Sequence, residues 1–505
     1  MAKYQGPNFI LELKLYPQDW QKDILEHLFY CSERMYNQVV YHANGCIDKL
    51  RKDPDYIKTL ELYTKETDEK IKKQYGSHLA ELREQYGLTK NDFEKYIKDV
   101  RNKSYQNTID SNTSQKISNR VWKAVEKCLF GNGKKVHFKK FKTLDSVEGK
   151  SNKTGIRFNK ECLVLTWNKM VIPVKVRKND YYAKEALENE ISFCRIIRRP
   201  FKTGYKYFIQ ITFKGLPPIK PNRIPGTKKG NVGIDIGPST IAVIGKEDGL
   251  LETLAPLSIK DCNKKIIRLS RKLERIRRAS NPDNYNEDGT CKKGKHYWVK
   301  TKNYYNTLFE LKNMYRLRNL YLREHQAILQ KNIMSYGDNF ATEEINFVSW
   351  ARKSKKATEQ TDKEVEKTDK NGNKKKYKKC KRKKRFGKSL NNHSPGKFIQ
   401  DLKKKLGYFG IEIEEVNTQK FRASQYNHDT DTYQKVTLDQ RKKEINGKEV
   451  QRDLYSAFVM ANRKDKEHVD RNKCIQNFDN FLKTQDRIIK NLQARGDILP
   501  ACMGI

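Results

Sequence analysis

The spacing of apolar residues changes several times along this chain, and each change marks a boundary. Residues 9–16, "FILELKLY", alternate apolar and polar, which predicts a half-buried strand. Pro17 then opens a helix whose apolar stripe runs Trp20, Ile24, Leu28, Cys31, Met35 and Val39. From 47 to 130 the spacing stays helical and the residues are densely charged, predicting a small helical lobe. Between 155 and 214 the period falls to two in "CLVLTW", "VIPVKV" and "YKYFIQITF", as in an antiparallel β domain. The proline-rich stretch 215–230, "GLPPIKPNRIPGTKKG", reads as a linker.

Beyond it, "NVGIDI" and "TIAVIG" predict a hairpin of strands, followed by a helix with Ile259, Cys262, Ile266, Leu269, Leu273 and Ile276 on one face. A polar loop over 279–300 leads to a second helix carrying Leu308, Leu311, Met314, Leu317, Tyr321 and Ile328, so 258–334 reads as a helical hairpin. Strands are expected at 338–347 and 410–416, and helix from 451 to 494. The segment 351–392 between the two strands has almost no apolar content and is expected to stay disordered until it meets phosphate or to serve as a solvated linker. The whole is a multidomain α+β protein.

Charge sharpens this picture. Lys and Arg number 105 against 61 Asp and Glu, a net charge of +44 over 505 residues, which points to a polyanionic partner, nucleic acid ahead of a membrane surface. The 27 tyrosines suit base stacking on single strands, although most must be ordinary core or interface rings. The ten cysteines are scattered singly, with no CxxC pair, so a disulfide framework or a Cys-rich zinc site is not expected. No apolar run approaches the ~20 residues a membrane span needs, and a reduced, cytoplasmic protein is expected.

Three acids stand out by their setting. In "NVGIDIGPST", strand alternation sends Val232, Ile234 and Ile236 to one face and Gly233, Asp235 and Gly237 to the other, leaving the acid on a bare face that suits close approach of something bulky. Glu343 lies in "FATEEINF", where the small Ala341 on the same face favours it over Glu344, and Asp453 opens the helix of "QRDLYSAFVMAN". Each alone is more often a cap, an edge residue or an ion-pair partner. Carboxylates that cluster raise one another's pKa, and hard oxygen ligands from two strands and a helix would hold Mg²⁺ or Mn²⁺. Two such ions can position a water and stabilise the leaving oxygen in phosphodiester cleavage.

Taken together, "GIDIG", "ATEEIN" and "QRDLYSAF" resemble the three RuvC motifs of the TnpB family of transposon-encoded, RNA-guided DNA endonucleases and of the related miniature type V CRISPR effectors. The opening "FILELKLYPQDWQKDILEHLFYCSERMYN" and the stretch "TSQKISNRVWKAVEKCLFGNGKKVHFKKFKTLDS" are similar to that family's N-terminal elements. The resemblance implies that Asp235, Glu343 and Asp453 are the catalytic, metal-binding triad of an RNase H-like domain. It implies a wedge domain beginning in 1–46, a helical recognition domain at 47–130 and the β-barrel-like remainder of the wedge at 131–214. RuvC parts follow at 231–350, 393–417 and 451–505, around the basic segment 351–392. The implied partners are a guide RNA, transposon-encoded or CRISPR-derived, and double-stranded target DNA, bound by one chain or two. Gln115 matches a position the family uses near its motif-reading surface, Tyr36 and Trp122 are open to base stacking or core packing, and Lys139, Lys140, Lys142, Lys383, Lys384 and Arg385 are candidate phosphate contacts.

One departure is plain. The family usually carries a four-cysteine zinc ribbon between its second and third motifs, and 418–450 here contains no cysteine; His428 is the nearest soft ligand and reads as a surface residue. A nuclease-inactive guided repressor and a guide-independent structure-specific nuclease are the rival readings; the intact acid set argues against the first and the 230 residues before the linker's end against the second. Purified protein is expected to carry no stoichiometric zinc, since no four Cys or His residues have ribbon spacing. Elemental analysis finding one tightly held zinc per chain would overturn that.

Overall fold

The computed structural model describes residues 6–131, 133–219, 228–294, 296–352, 359–368, 374–381, 386–435, 437, 440–496 and 499–505, with backbone only for 359–368 and 374–381. The chain divides into two compact units, Met1–Pro218 and Ile219–Ile505.

The first unit begins with β1 (Asn8–Lys14) and five helices: α1 (Asp19–Leu50), α2 (Pro54–Lys65), α3 (Glu69–Gln85), α4 (Lys90–Ser104) and α5 (Ser111–Leu129). Asp53, Asp68, Thr89 and Asp110 start the last four by accepting from otherwise unpaired N–H groups of the first turn. In α1 the buried stripe includes Leu25, Leu28, Phe29, Met35 and Val39, whereas Trp20 (54% exposed) and Ile24 (38%) lie outside it. The expected stripe is off by one residue at its start because Gln21 turns inward and donates to the Val171 carbonyl at 2.9 Å.

Short strands follow: β2 (Ser146–Glu148), β3 (Arg157–Asn159), β4 (Val164–Trp167) and β5 (Met170–Pro173). Helix α6 (Tyr181–Leu187) and the long hairpin β6 (Ile191–Phe201) and β7 (Gly204–Lys214) complete the unit. They form one antiparallel sheet in the order β1-β7-β6-β2 and a separate sheet β3-β4-β5. The barrel-like closure expected over 131–214 is absent among the described residues: only the isolated Leu15↔Val174 bridge joins the two sheets. The edge strand β2 is too short, at three residues, to carry a second ladder.

The second unit is built on a mixed sheet. Its elements are β8 (Asn231–Ile236), β9 (Thr240–Ile244), β10 (Gly249–Thr253), α7 (Ser258–Ala279), α8 (Lys302–Met334) and β11 (Asn339–Glu343), then α9 (Phe347–Trp350), β12 (Glu359–Thr368), β13 (Lys374–Lys381), α10 (Gly387–His393), α11 (Pro395–Gly407) and β14 (Ile413–Val416). After α12 (Thr418–Phe421) come the ribbons β15 (Tyr426–Asn427) with β16 (Thr432–Tyr433) and β17 (Lys442–Ile445) with β18 (Lys448–Gln451). Helices α13 (Arg452–Ala461) and α14 (Arg471–Ala494) close the chain. The expected single helix is thus two, separated by a loop that the Arg463↔Val469 bridge ties off.

The five-stranded sheet runs β10-β9-β8-β11-β14. β9 is antiparallel to both β10 and β8, while β11 is parallel to both β8 and β14. One face buries Val232, Ile234, Val243 and Phe340 against α8 and α11 through Ile333, Phe398 and Leu402. The other buries Ala242, Ile244 and Ala341 against α13 and α14 through Ala457, Phe458 and Phe481. The bare face of β8 is therefore already covered: a Cβ added at Gly233 would overlap the Ala457 carbonyl and sit 2.6 Å from the Ala461 nitrogen.

The hairpin of α7 and α8 buries Ile259, Cys262, Ile266, Leu269 and Leu311, but Tyr321 (38%) and Ile328 (60%) are exposed. The second half of α8 turns Leu329 and Ile333 to the sheet, which rotates its apolar stripe away from the one expected. In the basic segment, β12 and β13 pair as an antiparallel ribbon where disorder was expected. Their register sets Glu364 opposite Lys378 and Glu366 opposite Lys376. Lys383, Lys384 and Arg385 lie outside the described residues. No helix among the described residues is long and apolar enough to cross a membrane.

Gly233→Ala is expected to destabilise the second unit by about 1–3 kcal/mol or more, since the new methyl must displace α13. A calorimetric melt matching wild type would show that α13 does not rest on this glycine.

Candidate active site

Because Gly233 and Ala341 are register partners on adjacent parallel strands, they leave a shallow strip on which α13 lies. Two residues further along each strand, and so on the same face, stand Asp235 and Glu343. The first turn of α13 adds Asp453 and, three residues later, Ser456. The sequence-predicted acids are thereby brought together at the carboxyl end of β8 and β11. Burial first, then the negative charges of Asp453 and Glu343, hold the Asp235 carboxyl well above the ordinary carboxylate range, opposed by the Ser456 hydroxyl and the charge of Arg452. Asp235 nevertheless keeps some exposed surface. Burial likewise pushes the Glu343 carboxyl up. Glu344 is exposed, and its backbone N–H donates to Val416.

Asp453 is engaged differently. Its Oδ1 accepts from Arg452 Nε at 3.1 Å and Nη2 at 3.0 Å, and its Oδ2 lies 4.0 Å from Arg441 Nη1. Arg452 Nη1 also donates to the Gln440 carbonyl at 3.1 Å, so one guanidinium ties the acid to the segment leading into β17. Lys443 lies nearby with Nζ 5.3 Å from the Tyr455 ring, its pKa pulled down to about 8 by burial and then by the charge of Arg452.

These groups bear on a metal as follows. Three carboxylates and the Ser456 hydroxyl, which is buried without a well-formed hydrogen bond, are hard oxygen donors of the kind Mg²⁺ and Mn²⁺ take. Among the described residues, no three His, Cys, Asp or Glu side chains are arranged ready to hold an ion, and the Asp453 oxygens face guanidinium groups instead. The donor chemistry fits, provided Asp453 exchanges arginine for the ion.

Arg441, Arg452, Lys443 and Ser456 are the neighbours the sequence reading missed. Two of them sit within "QRDLYSAF": Arg452 adjoins the acid, and Ser456 follows it at the three-residue spacing that shares a helix face. His428, expected on the surface, is 2% exposed. It packs 4.7 Å from the Phe478 ring with Nδ1 2.8 Å from the Tyr455 hydroxyl, so it is a core residue under α13.

The nucleic-acid candidates of the first unit separate clearly. Tyr36 is 6% exposed and therefore unavailable to a base, and Trp122 packs against Phe93 at 5.6 Å with its ring partly buried. Gln115 is half-buried and donates to Glu94. Lys139, Lys140 and Lys142 lie on a strap laid along α1. Asn37 exchanges two hydrogen bonds with the Lys139 backbone (2.8 and 2.9 Å) and Asn44 two with Val136 (both 3.0 Å). The buried Glu33 accepts from the backbone of Lys142, Thr143 and Leu144 at 2.8–3.0 Å. This pins the strap and leaves Lys140 and Lys142 exposed, while Lys139 is half-buried over the Tyr36 ring at 5.7 Å.

No family model matches the chain, and no curated protein does. Among solved structures it is similar to a cryo-EM structure of a Cas12f1–sgRNA–target DNA complex, with a TM-score of 0.43 and 10% identity over 91% of this chain and 99% of that one. It is also similar to a CRISPR-Cas12f ternary complex, with a TM-score of 0.29 and 10% identity over 90% and 99%.

A carboxyl whose pKa is raised by folding stabilises the fold while protonated, and that contribution is lost as pH rises through the folded value. Asp235→Asn, which has no carboxyl to protonate on folding, is therefore expected to raise the metal-free melting temperature at neutral pH, by roughly 2–4 °C for each kcal/mol regained. The gain should shrink as pH falls toward 3.8, the ordinary value for the carboxyl. Melts in EDTA at neutral and mildly acidic pH check this; a variant less stable than wild type at neutral pH would contradict it.

Proposed function

We propose that this chain is an RNA-guided DNA endonuclease whose second unit hydrolyses phosphodiesters at a centre formed by Asp235, Glu343 and Asp453. The observation that carries the reading is the meeting of these three acids, far apart in sequence, at one end of the sheet, where Asp453 and Glu343 raise the pKa of Asp235. Strand order β10-β9-β8-β11-β14, antiparallel and then parallel, is the one expected of an RNase H-like domain. The motif resemblance and the net charge of +44 supply the guide RNA and target DNA as partners. In such a division of labour the protein reads a short motif beside the target and base pairing reads the rest.

Asp235, Glu343 and Asp453 would hold two Mg²⁺ or Mn²⁺ ions, which when bound supply activation of water and neutralisation of charge on the leaving oxygen. The chain's own contribution is positional. The Gly233 strip sets α13, α13 sets Asp453 and Ser456 beside Asp235, and Arg452 balances the acids before they are occupied. That same grip of Arg452 on Asp453 favours a second reading, a guided DNA-binding protein that does not cut.

The two readings part on one experiment. RNA that co-purifies with the protein is sequenced, and guide-loaded protein is given a matched duplex in Mg²⁺ and in EDTA. Metal-dependent cutting is expected, with Asp235→Ala lowering its rate about a thousandfold or more while duplex binding persists. Near wild-type cutting by the variant would remove Asp235 from the reaction, and binding without any cutting by wild type would favour the second reading.

A further inference from the structure

The outer face of the α7–α8 hairpin carries charge that its fold does not use. Between 258 and 334 there are nineteen Lys and Arg against seven Asp and Glu. On α7, Lys264, Arg268, Arg271, Arg275 and Arg278 are all exposed and follow one another at intervals of three or four residues, so they form a single stripe opposite the buried Ile259, Cys262, Ile266 and Leu269. At ~1.5 Å per residue the stripe is about 20 Å long, with a cation every 5–6 Å, close to the spacing of phosphates along a single strand. Its ends are modestly paired, Lys264 with Asp261 at 3.4 Å and Arg278 with Glu274 at 3.4 Å. No acid lies within ion-pair distance of Arg268, Arg271 or Arg275 among the described residues.

The stripe leads to an aromatic tip that is rigid without being buried. Asn281 binds the Val299 backbone twice (2.7 and 3.0 Å), and Asn284 donates to the Tyr297 carbonyl at 2.8 Å. The Arg277 guanidinium lies over the Trp298 ring at 4.9 Å and donates to the Tyr285 hydroxyl at 2.8 Å, and Tyr285 meets Trp298 edge-on at 5.9 Å. This network fixes the loop around Tyr297, whose own side chain is left outside: the residue is 86% exposed. A loop held this firmly around an outward ring has already met the ordering cost of presenting it.

We propose that the α7–α8 hairpin is a docking track for single-stranded nucleic acid, in which the α7 stripe follows the phosphates and Tyr297 stacks on an unpaired base. The track is separate from the acid cluster and stands on charge and ring geometry alone, so it holds whether or not the chain cuts DNA. Arginine at these positions acts through charge spaced along a backbone, and a flat ring accepts any base, so recognition is independent of sequence.

The test uses the full chain with fluorescently labelled oligo(dT) and oligo(U) titrated across a salt series. Replacing Arg268, Arg271 and Arg275 together by Gln is expected to lower the log–log salt slope by about 2, since each single-strand phosphate contact contributes ~0.7. The same three changed to Lys should keep the wild-type slope. Tyr297→Ala should leave the slope intact and weaken binding about tenfold. Photocrosslinking of an iodouracil-containing strand, mapped by mass spectrometry, should mark Tyr297 or its neighbours in wild type. Loss with both oligomers supports a track for either polymer, and loss with one alone identifies the occupant. An unchanged slope in the Gln variant of unaltered melting temperature, or crosslinks that avoid 264–300, overturns the proposal.

Discussion

A helix can lie directly on a β-sheet only where the sheet gives up its side chains, and in this protein Gly233 and Ala341 do so side by side. Everything at the candidate site follows from that contact. With the Ala457 backbone resting over Gly233, the first turn of α13 falls beside Asp235, and the parallel neighbour β11 delivers Glu343 to the same place. The two strands and the helix are each buried in the cores on either face of the sheet, so the acids are held by packed elements. Phe458 and Phe481, 4.6 Å apart, and the buried His428 under Tyr455 fix the far side of α13.

Holding three carboxylates together is unfavourable in itself, and the local chemistry answers it in two ways. Asp235 and Glu343 become reluctant to ionise, while Asp453 is matched by Arg452 and Arg441. The second solution also ties the acid to a neighbouring segment. Arg452 is bound to the Gln440 carbonyl as well as to the acid, so freeing Asp453 for a metal involves the stretch before β17.

How far the sequence exposed this can be judged residue by residue. Alternation separated Val232, Ile234 and Ile236 from Gly233 and Asp235, and it put Glu343, not the exposed Glu344, on the face of Ala341, because side-chain period two is a local property. What alternation cannot say is who occupies a bare face: the glycine strip suggested room for a ligand, and the occupant is the protein's own helix. Helical stripes were read well where one partner covers the helix, as for Ile259 to Leu269. They were misread where polar residues turn inward or a helix serves two partners, as at Gln21 and along α8. Tyr36 and His428 were hidden for a related reason, since burial of a polar-tipped ring depends on elements distant in sequence. The pairing of β12 with β13 was missed because the segment has almost no apolar residues whose alternation could mark a strand.

The central claim is that Asp235, Glu343 and Asp453 form one metal centre. Crystals of the protein grown or soaked in Mn²⁺ and measured at the manganese edge test it directly. The account predicts anomalous density between the three carboxylates, with Asp453 turned from Arg452 toward it. Anomalous density elsewhere only, with Arg452 still holding Asp453, would contradict it.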